Sequence, residues 1–314
     1  MTTPIEITRR GLLAGGIAMV GLKARAQDRK LRIGVQKYGT LIVLEATRNL
    51  ERRLAPNGVE VSWNEFPAGP QLLEALNGGS VDFGITGEAP PVFAQAAGVP
   101  FLYVAVDRPA PAGEAILVAK DSPIRTIADL KGKRVAFNRG SNVHYLLLAA
   151  LEKAGLRFGD IEPAYLAPAD GRAAFAAGSV DAWVIWDPYF AAGQAATGAR
   201  VLTDATGLAR NPQFYLASAA FARARPDLIR AVLDEIGKTD AWAEKHQAEV
   251  ASLLAPRTGL PPAVLHVALA RLGYGVAPIT PDIVANQQRI ADTFFKAGLL
   301  PKSIAVRDAV WRLT

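Results

Sequence analysis

A short pattern that occurs twice does most to limit how this chain can fold. Leu76-Asn77-Gly78-Gly79-Ser80-Val81-Asp82-Phe83-Gly84-Ile85 is echoed about 100 residues later by Phe175-Ala176-Ala177-Gly178-Ser179-Val180-Asp181-Ala182-Trp183-Val184-Ile185. Each copy reads as a short helix, a Gly-Ser-Val-Asp turn and an apolar strand, and each is followed by a polar loop with proline. Two similar α/β units, each offering a loop at the end of a strand, predict two lobes that face a shared cleft.

The neighbouring segments agree. Leu31 to Gln36 and Val59 to Trp63 alternate as strands, whereas Ile42 to Leu54 and Pro70 to Leu76 have helical spacing. Repeated strand–helix–strand order predicts parallel-rich sheets with flanking helices. Glu114 to Lys120 reads as the passage from the first lobe to the second, and Phe214 to Ser218 as the return. On that reading lobe 1 holds residues 27–117 and 217–314, and lobe 2 residues 118–216. The tail is helical from Pro226 to Leu254, Pro262 to Leu272 and Pro281 to Ala297, and completes lobe 1. Two crossings make a hinge, and a hinged cleft favours a ligand.

Residues 1–26 have the order of a secretory signal: Arg9-Arg10, an apolar run to Leu22, then Ala24-Arg25-Ala26. The paired arginines point to the twin-arginine route, with removal near Ala26. The apolar run is too short to cross a bilayer core, which needs roughly 20 residues. No cysteine is present, which removes disulfides, thiolate metal sites, cysteine nucleophiles and a lipidated N-terminal cysteine. The formal net charge is +6, but the leader carries four basic residues against one acid, and the remaining bases are scattered among acids. That mild bias helps steer an anion and is no nucleic-acid footprint. His144, His246 and His266 are the only histidines, and no spacing suits a metal. Neither a metal nor a cofactor is expected.

Five segments carry a family resemblance. They are Phe66-Pro67-Ala68-Gly69-Pro70-Gln71, Gly84-Ile85-Thr86-Gly87-Glu88-Ala89-Pro90-Pro91, Ala128-Asp129-Leu130-Lys131-Gly132-Lys133, Asn138-Arg139-Gly140-Ser141-Asn142-Val143-His144 and Ala182-Trp183-Val184-Ile185-Trp186-Asp187-Pro188-Tyr189. From about Leu31 to Trp311 the chain resembles the periplasmic aliphatic-sulfonate-binding proteins of ABC importers. The resemblance implies a two-lobe α/β periplasmic-binding fold of type II, a sulfonate in the cleft, an inner-membrane permease as partner, a periplasmic monomer and no catalysis. Taurine, nitrate, a sulfate ester or an aromatic sulfonate are the alternative ligands. One departure stands out: family members commonly have a run of serines where this chain has Ser141-Asn142-Val143. An enzyme on the same fold is the rival class, but neither a cysteine, a paired His–Glu constellation nor a phosphate-type glycine loop is legible.

A sulfonate keeps its charge at physiological pH, so its site needs convergent donors rather than a base. Helix N-termini supply free N–H groups and the positive end of a dipole. Thr86-Gly87-Glu88-Ala89-Pro90 and Gly140-Ser141-Asn142 each open a helix, which makes Thr86, Gly87, Ser141 and Asn142 the expected cradle. The same residues also suit ordinary caps. Gln36 ends the first strand and is a candidate amide donor or a solvent-facing residue. Trp186 is placed to cover an organic tail or to fill a core. Asp187 suits either its own turn or the amine of a zwitterion, Glu88 the donors that close the lobes, His144 a ligand contact, and Tyr215 the cleft or simple packing.

Overall fold

The computed structural model describes residues 30–312, so the leader read over residues 1–26 lies outside the described residues. In chain order the strands are β1 (Lys30–Val35), β2 (Glu60–Glu65), β3 (Phe83–Thr86), β4 (Phe101–Asp107), β5 (Glu114–Val118), β6 (Arg134–Phe137), β7 (Glu162–Tyr165), β8 (Ala182–Trp186), β9 (Arg200–Asp204), β10 (Phe214–Ser218) and β11 (Val276–Ala277). They form two sheets, ordered β11-β4-β10-β3-β1-β2 and β7-β6-β8-β5-β9. Each sheet has a parallel trio, β2-β1-β3 in the first and β7-β6-β8 in the second. Against each trio runs one antiparallel strand: β10 on β3, with Phe214 opposite Thr86, and β5 on β8, with Glu114 opposite Trp186.

Those antiparallel strands are the ones that arrive from the other lobe. A segment leaving the C-terminal ends of one set of parallel strands enters the second set at its C-terminal ends, and so must run against it. Sheet membership therefore places β5 with lobe 2 and β10 with lobe 1. Glu114–Leu117 and Phe214–Leu216 each sit on the opposite side of the boundary from the one read in the sequence. The chain changes sheets within residues 108–113 and 205–213. The two passages are zipped together: Asp107 N donates to Gln213 O (2.8 Å), Ala110 N to Arg210 O (3.1 Å) and Asn211 Nδ2 to Ala110 O (2.9 Å).

The duplicated turn does the same work in both lobes. Asp82 accepts the backbone N–H of Arg32 (2.9 Å) and donates its own N–H to Arg32 O (2.8 Å). Asp181 accepts the N–H of Arg134 (2.8 Å) and donates to Arg134 O (2.8 Å). Each aspartate thus extends a parallel pair, β1/β3 or β6/β8, where ordinary ladder bonds have not yet begun. The Arg32 guanidinium adds a 2.6 Å ion pair to Asp82.

Alternation along the first sheet sends Phe83, Ile85, Tyr215 and Ala217 to one core and Phe101, Tyr103, Phe214 and Leu216 to another. Helices Pro226–Ala243, Gln247–Thr258 and Pro262–Leu269 pack on the first of these, and Pro281–Lys296 on the second. The second sheet has its own core around Trp183, Phe137 and Leu147. The helix expected over 42–54 is two, Thr40–Thr47 and Asn49–Leu54, because Arg48 takes a left-handed φ of 57° and caps the first. The helical run from Pro226 likewise breaks before Gln247.

The matched roles of Asp82 and Asp181 generate a test. Asp82→Ala and Asp181→Ala should each lower stability by about 1.5–3 kcal/mol, the range for hydrogen bonds to a charged group. Urea unfolding should show a lower midpoint for both. An effect confined to one of them would break the equivalence of the two turns.

Candidate ligand-binding site

The C-terminal ends of β3 and β8 point at the cleft, and the loops that leave the parallel strands meet there. Gly87 of lobe 1 lies directly against Asn142 of lobe 2: a Cβ placed on Gly87 would sit 2.9 Å from the Asn142 side chain. Only glycine permits that approach. Beside it is a recess of about 10 Å³, with Gln36, Tyr38, Gly69, Gly87 and Pro90 on the lobe 1 side. Ser141, Asn142 and Trp186 form the lobe 2 side, and Gln213 comes from the return passage. Past Gln36 and Trp186 the space continues as a groove of about 250 Å³, walled by Phe66, Pro67, Pro188 and Tyr189. Lys37 and Glu65, paired at 3.7 Å, also line this groove. A larger hollow of about 740 Å³ lies between helix Pro281–Lys296 and the segment 304–312, but its wall is mainly apolar and gathers no helix start beyond Pro281.

Gly69, Pro90 and Asn142 are each the first residue of a helix, so three positive helix ends converge on the recess. The N–H groups of Asn142 and Val143 have no acceptor among the described residues. The side chains around them are engaged elsewhere. Ser141 stands at the N-cap position, but its hydroxyl donates to Asn138 O (2.7 Å) and does not cap. Asn142 Nδ2 donates to Asn211 Oδ1 (3.0 Å) and to Glu114 Oε2. The Thr86 hydroxyl donates to Gly87 O (3.0 Å), and the Gln36 amide to Ile85 O (2.9 Å). Besides the main chain, the hydroxyl of Tyr38, which lines the recess, has no hydrogen-bond partner among the described residues.

Of the residues picked out in the sequence, Gln36, Gly87, Ser141, Asn142 and Trp186 come together at the recess. The others stand apart from its wall. Thr86 is fully buried in β3. Asp187 is buried in its own turn, where Oδ1 accepts the Ala191 N–H (3.0 Å) and Oδ2 faces Arg271 at 3.3 Å. Burial lifts its pKa to about 6, against the pull of Arg271. His144 turns away into a cluster of Phe93, Phe137, Phe158 and Phe294. Burial, and then the charge of Arg139, push its pKa down to about 3, so it stays neutral. Tyr215 lies inside lobe 1, ring on ring with Phe83, because β10 is a central strand rather than an exposed passage. Its burial and the nearby Asp107 and Asp240 hold its pKa well above the usual phenol value. Glu88 is fully buried behind the loop.

Tyr38, Gly69 and Gln213 line the recess without having been singled out, as do Glu114 and Asn211 among its supports. Gly69 sits within the Pro-Ala-Gly-Pro segment and opens a helix, a signal that was legible. A lone glutamate at the head of the apolar run Ala115–Val118 was a second. Tyr38 and Gln213 are placed only by tertiary packing.

The family model described as NMT1/THI5 like matches residues 55–250. A relative from Escherichia coli (strain K12), described as an aliphatic sulfonates-binding protein, is 44% identical over 315 residues, covering 100% of this chain and 98% of its own. The chain belongs to the NMT1/THI5-like family, among its aliphatic-sulfonate-binding proteins. Two solved structures of such proteins agree. The alkanesulfonate-binding protein from Xanthomonas axonopodis pv. citri, bound to MOPS, is 46% identical with a TM-score of 0.87, covering 91% of this chain and 99% of that one. The periplasmic aliphatic sulphonate binding protein from Escherichia coli is also 46% identical, with a TM-score of 0.83, covering 91% and 93%. These relatives are binding proteins, and this family member is one too rather than an enzyme.

Because Asn142 joins β5, the return passage and Gly87, its loss should cost more than that of its neighbour. Asn142→Ala leaves Glu114 and Asn211 buried without their donor, and should lower stability by about 1–3 kcal/mol. Ser141→Ala should cost about 0.5–1.5 kcal/mol. Equal losses in chemical denaturation would count against Asn142 as the junction.

Proposed function

We propose that this protein captures an organosulfonate by closing its two lobes over the anionic head and delivers it to an ABC-type permease in the inner membrane. The observation that carries this reading is the convergence of three helix N-termini on one recess, at one of which the N–H groups of Asn142 and Val143 find no acceptor among the described residues. The recess wall holds no lysine, arginine or histidine. A permanently ionised head with three acceptor oxygens suits such a wall, because it needs donors and no proton acceptor. The groove past Trp186 has aromatic and proline walls for the organic tail, with Trp186 covering the start of that tail.

Closure follows from size. A recess of about 10 Å³ holds little more than one water. The two sides must separate to admit a sulfonate head and then return, with residues 108–113 and 205–213 as the hinge. Ligand that bridges Gly87 on one side and the helix start at Asn142 on the other favours the closed form. The cradle is the main chain around Gly87, Asn142 and Val143, with Gln36 and Trp186 beside it.

The leader supports export, with the twin-arginine route and removal near Ala26. No helix among the described residues is long and apolar enough to cross a membrane. The exported form works as a monomer, which light scattering tests directly.

Thermal unfolding of the purified protein against methane-, butane- and benzenesulfonate, taurine, sulfate and nitrate reads out the ligand class. Buffers that are themselves sulfonates, MOPS included, must be left out. A ligand at 100 times its Kd adds about 2.7 kcal/mol, which raises Tm by several degrees at about 2–4 °C per kcal/mol. Stabilisation by sulfonates is the expected result. Stabilisation by nitrate or taurine alone would reassign the ligand, and none with any anion would remove the reading. Gly87→Ala should raise the Kd for butanesulfonate at least tenfold, about 1.4 kcal/mol, since its methyl holds the two sides apart.

A further inference from the structure

Two buried glutamates flank the contact between the lobes: Glu88 is next to Gly87 in the chain, and Glu114 is bonded to Asn142, the residue that Gly87 touches. Glu88 follows β3 of lobe 1, Glu114 opens β5 of lobe 2, and both are 0% exposed. Glu114 Oε2 accepts from Asn142, the residue that reaches the recess, while its Oε1 has no partner. Neither oxygen of Glu88 has a hydrogen bond of good geometry.

The groups facing this pair do not neutralise it. Arg210 and the Asn211 N–H are on the side of Glu88 and favour its charge. Arg210 is itself paired with Asp282 at 2.6 Å on the surface. Gln287 reaches only the Glu88 carbonyl and the Tyr103 hydroxyl. Tyr145, from the helix Asn142–Lys153, faces Glu88 as well as Arg289 and Glu152. Tyr38 faces Glu114, with Asp187, Asp107 and Tyr274 also near it. None of these supplies a buried cation. Two carboxylates in one dry place disfavour each other's charge as well as their own. Burial, opposed by Asn211 and Arg210, lifts Glu88 to about 8. Burial and then the charge of Glu88 lift Glu114 well above the carboxylate range, against the Asn142 hydrogen bond.

We propose that Glu88 and Glu114 form a paired proton site that is completed when the lobes close, so that capture of one anion is accompanied by uptake of a proton on each acid that closure buries. The pair draws one member from each lobe, so separation of the lobes parts the two acids and admits water. Protons and the anion then enter the closed form together, and the cleft gains little net charge. This rests on the reading of the protein as a sulfonate binder that closes over its ligand.

The sign follows from the two forms. A hydrated glutamate in the open form titrates near about 4.3, and Glu88 in the closed form near about 8. Between those values closure takes up a proton, so affinity is greatest at low pH and falls as pH rises toward 8. Above that Glu88 holds no proton in either form, and its share of the dependence levels off.

Isothermal titration of the purified protein with butanesulfonate at pH 7, in cacodylate, imidazole and Tris, measures the proton directly. The slope of binding enthalpy against buffer ionisation enthalpy should give uptake of about one to two protons per ligand. The Kd should rise between pH 6 and 8, by up to about tenfold per pH unit for each proton taken up. Glu88→Gln, which keeps the shape without exchanging a proton, should lower the uptake by about one proton and make the pH profile shallower. Glu114→Gln should do the same if the first variant folds poorly. Measurable binding with no proton uptake by the unaltered protein overturns the paired site and leaves the sulfonate reading standing. No binding of butanesulfonate at any pH overturns both.

Discussion

The arrangement at the cleft depends on two parallel strand pairs that hold their C-terminal ends in register. Asp82 and Asp181 set that register, each exchanging two hydrogen bonds with the backbone of an arginine on the neighbouring strand. Strand ends fixed in this way fix the loops that follow them, and those loops are what the lobes show each other. The arriving strands β10 and β5 then lock in beside each trio, with Thr86 opposite Phe214 and Trp186 opposite Glu114. Each sheet is thus finished by a strand that the other lobe delivers, and Leu148 of lobe 2 and Ala68 of lobe 1 pack into each other's cores, so the two lobes fold as a pair.

At the contact between them, Asn142 is the common partner. One side chain touches Gly87 of the first lobe, Glu114 of the second and Asn211 of the return passage. This puts the departure from the family's serine run in a different light. A serine has one hydroxyl proton and cannot serve both Glu114 and Asn211. The amide does so with both of its protons, and therefore has none left to donate to a ligand. Its position at the head of the helix still leaves its own N–H and that of Val143 open. The asparagine alters the scaffold at the contact between the lobes rather than the main-chain N–H groups of the helix start.

Much of this was readable in the chain itself. The Gly-Ser-Val-Asp echo, the proline- and glycine-marked helix starts and the extended passages indicated two α/β lobes with anion-friendly loops at their junction. Where reading failed, the missing information was long-range. Glu114 to Val118 has the apolar run of a buried strand, but nothing local tells which sheet it joins; pairing with β8 and β9 decides that. From sequence alone Tyr215 suits the cleft or simple packing, and the central place of β10 in its sheet makes it a core residue. His144 is one residue past the anion loop in sequence, yet helical geometry turns it to the opposite side, among phenylalanines. Hydroxyl and amide side chains could be located from sequence, but not the fact that they were already hydrogen-bonded.

A head-group site that rests, as proposed, mainly on main-chain N–H groups would have a consequence for how such a protein changes over time. Every amino acid but proline carries the same N–H, so most point mutations in the loops would leave those donors chemically untouched. The capacity to hold a charged head would then be robust to drift, as long as Gly87 keeps the two sides in contact. Variation in what is carried behind the head falls instead on the groove, where Phe66, Pro67 and Tyr189 are ordinary replaceable side chains. Lineages that share this scaffold are free to diversify their choice of tail while inheriting the grip on the anion unchanged.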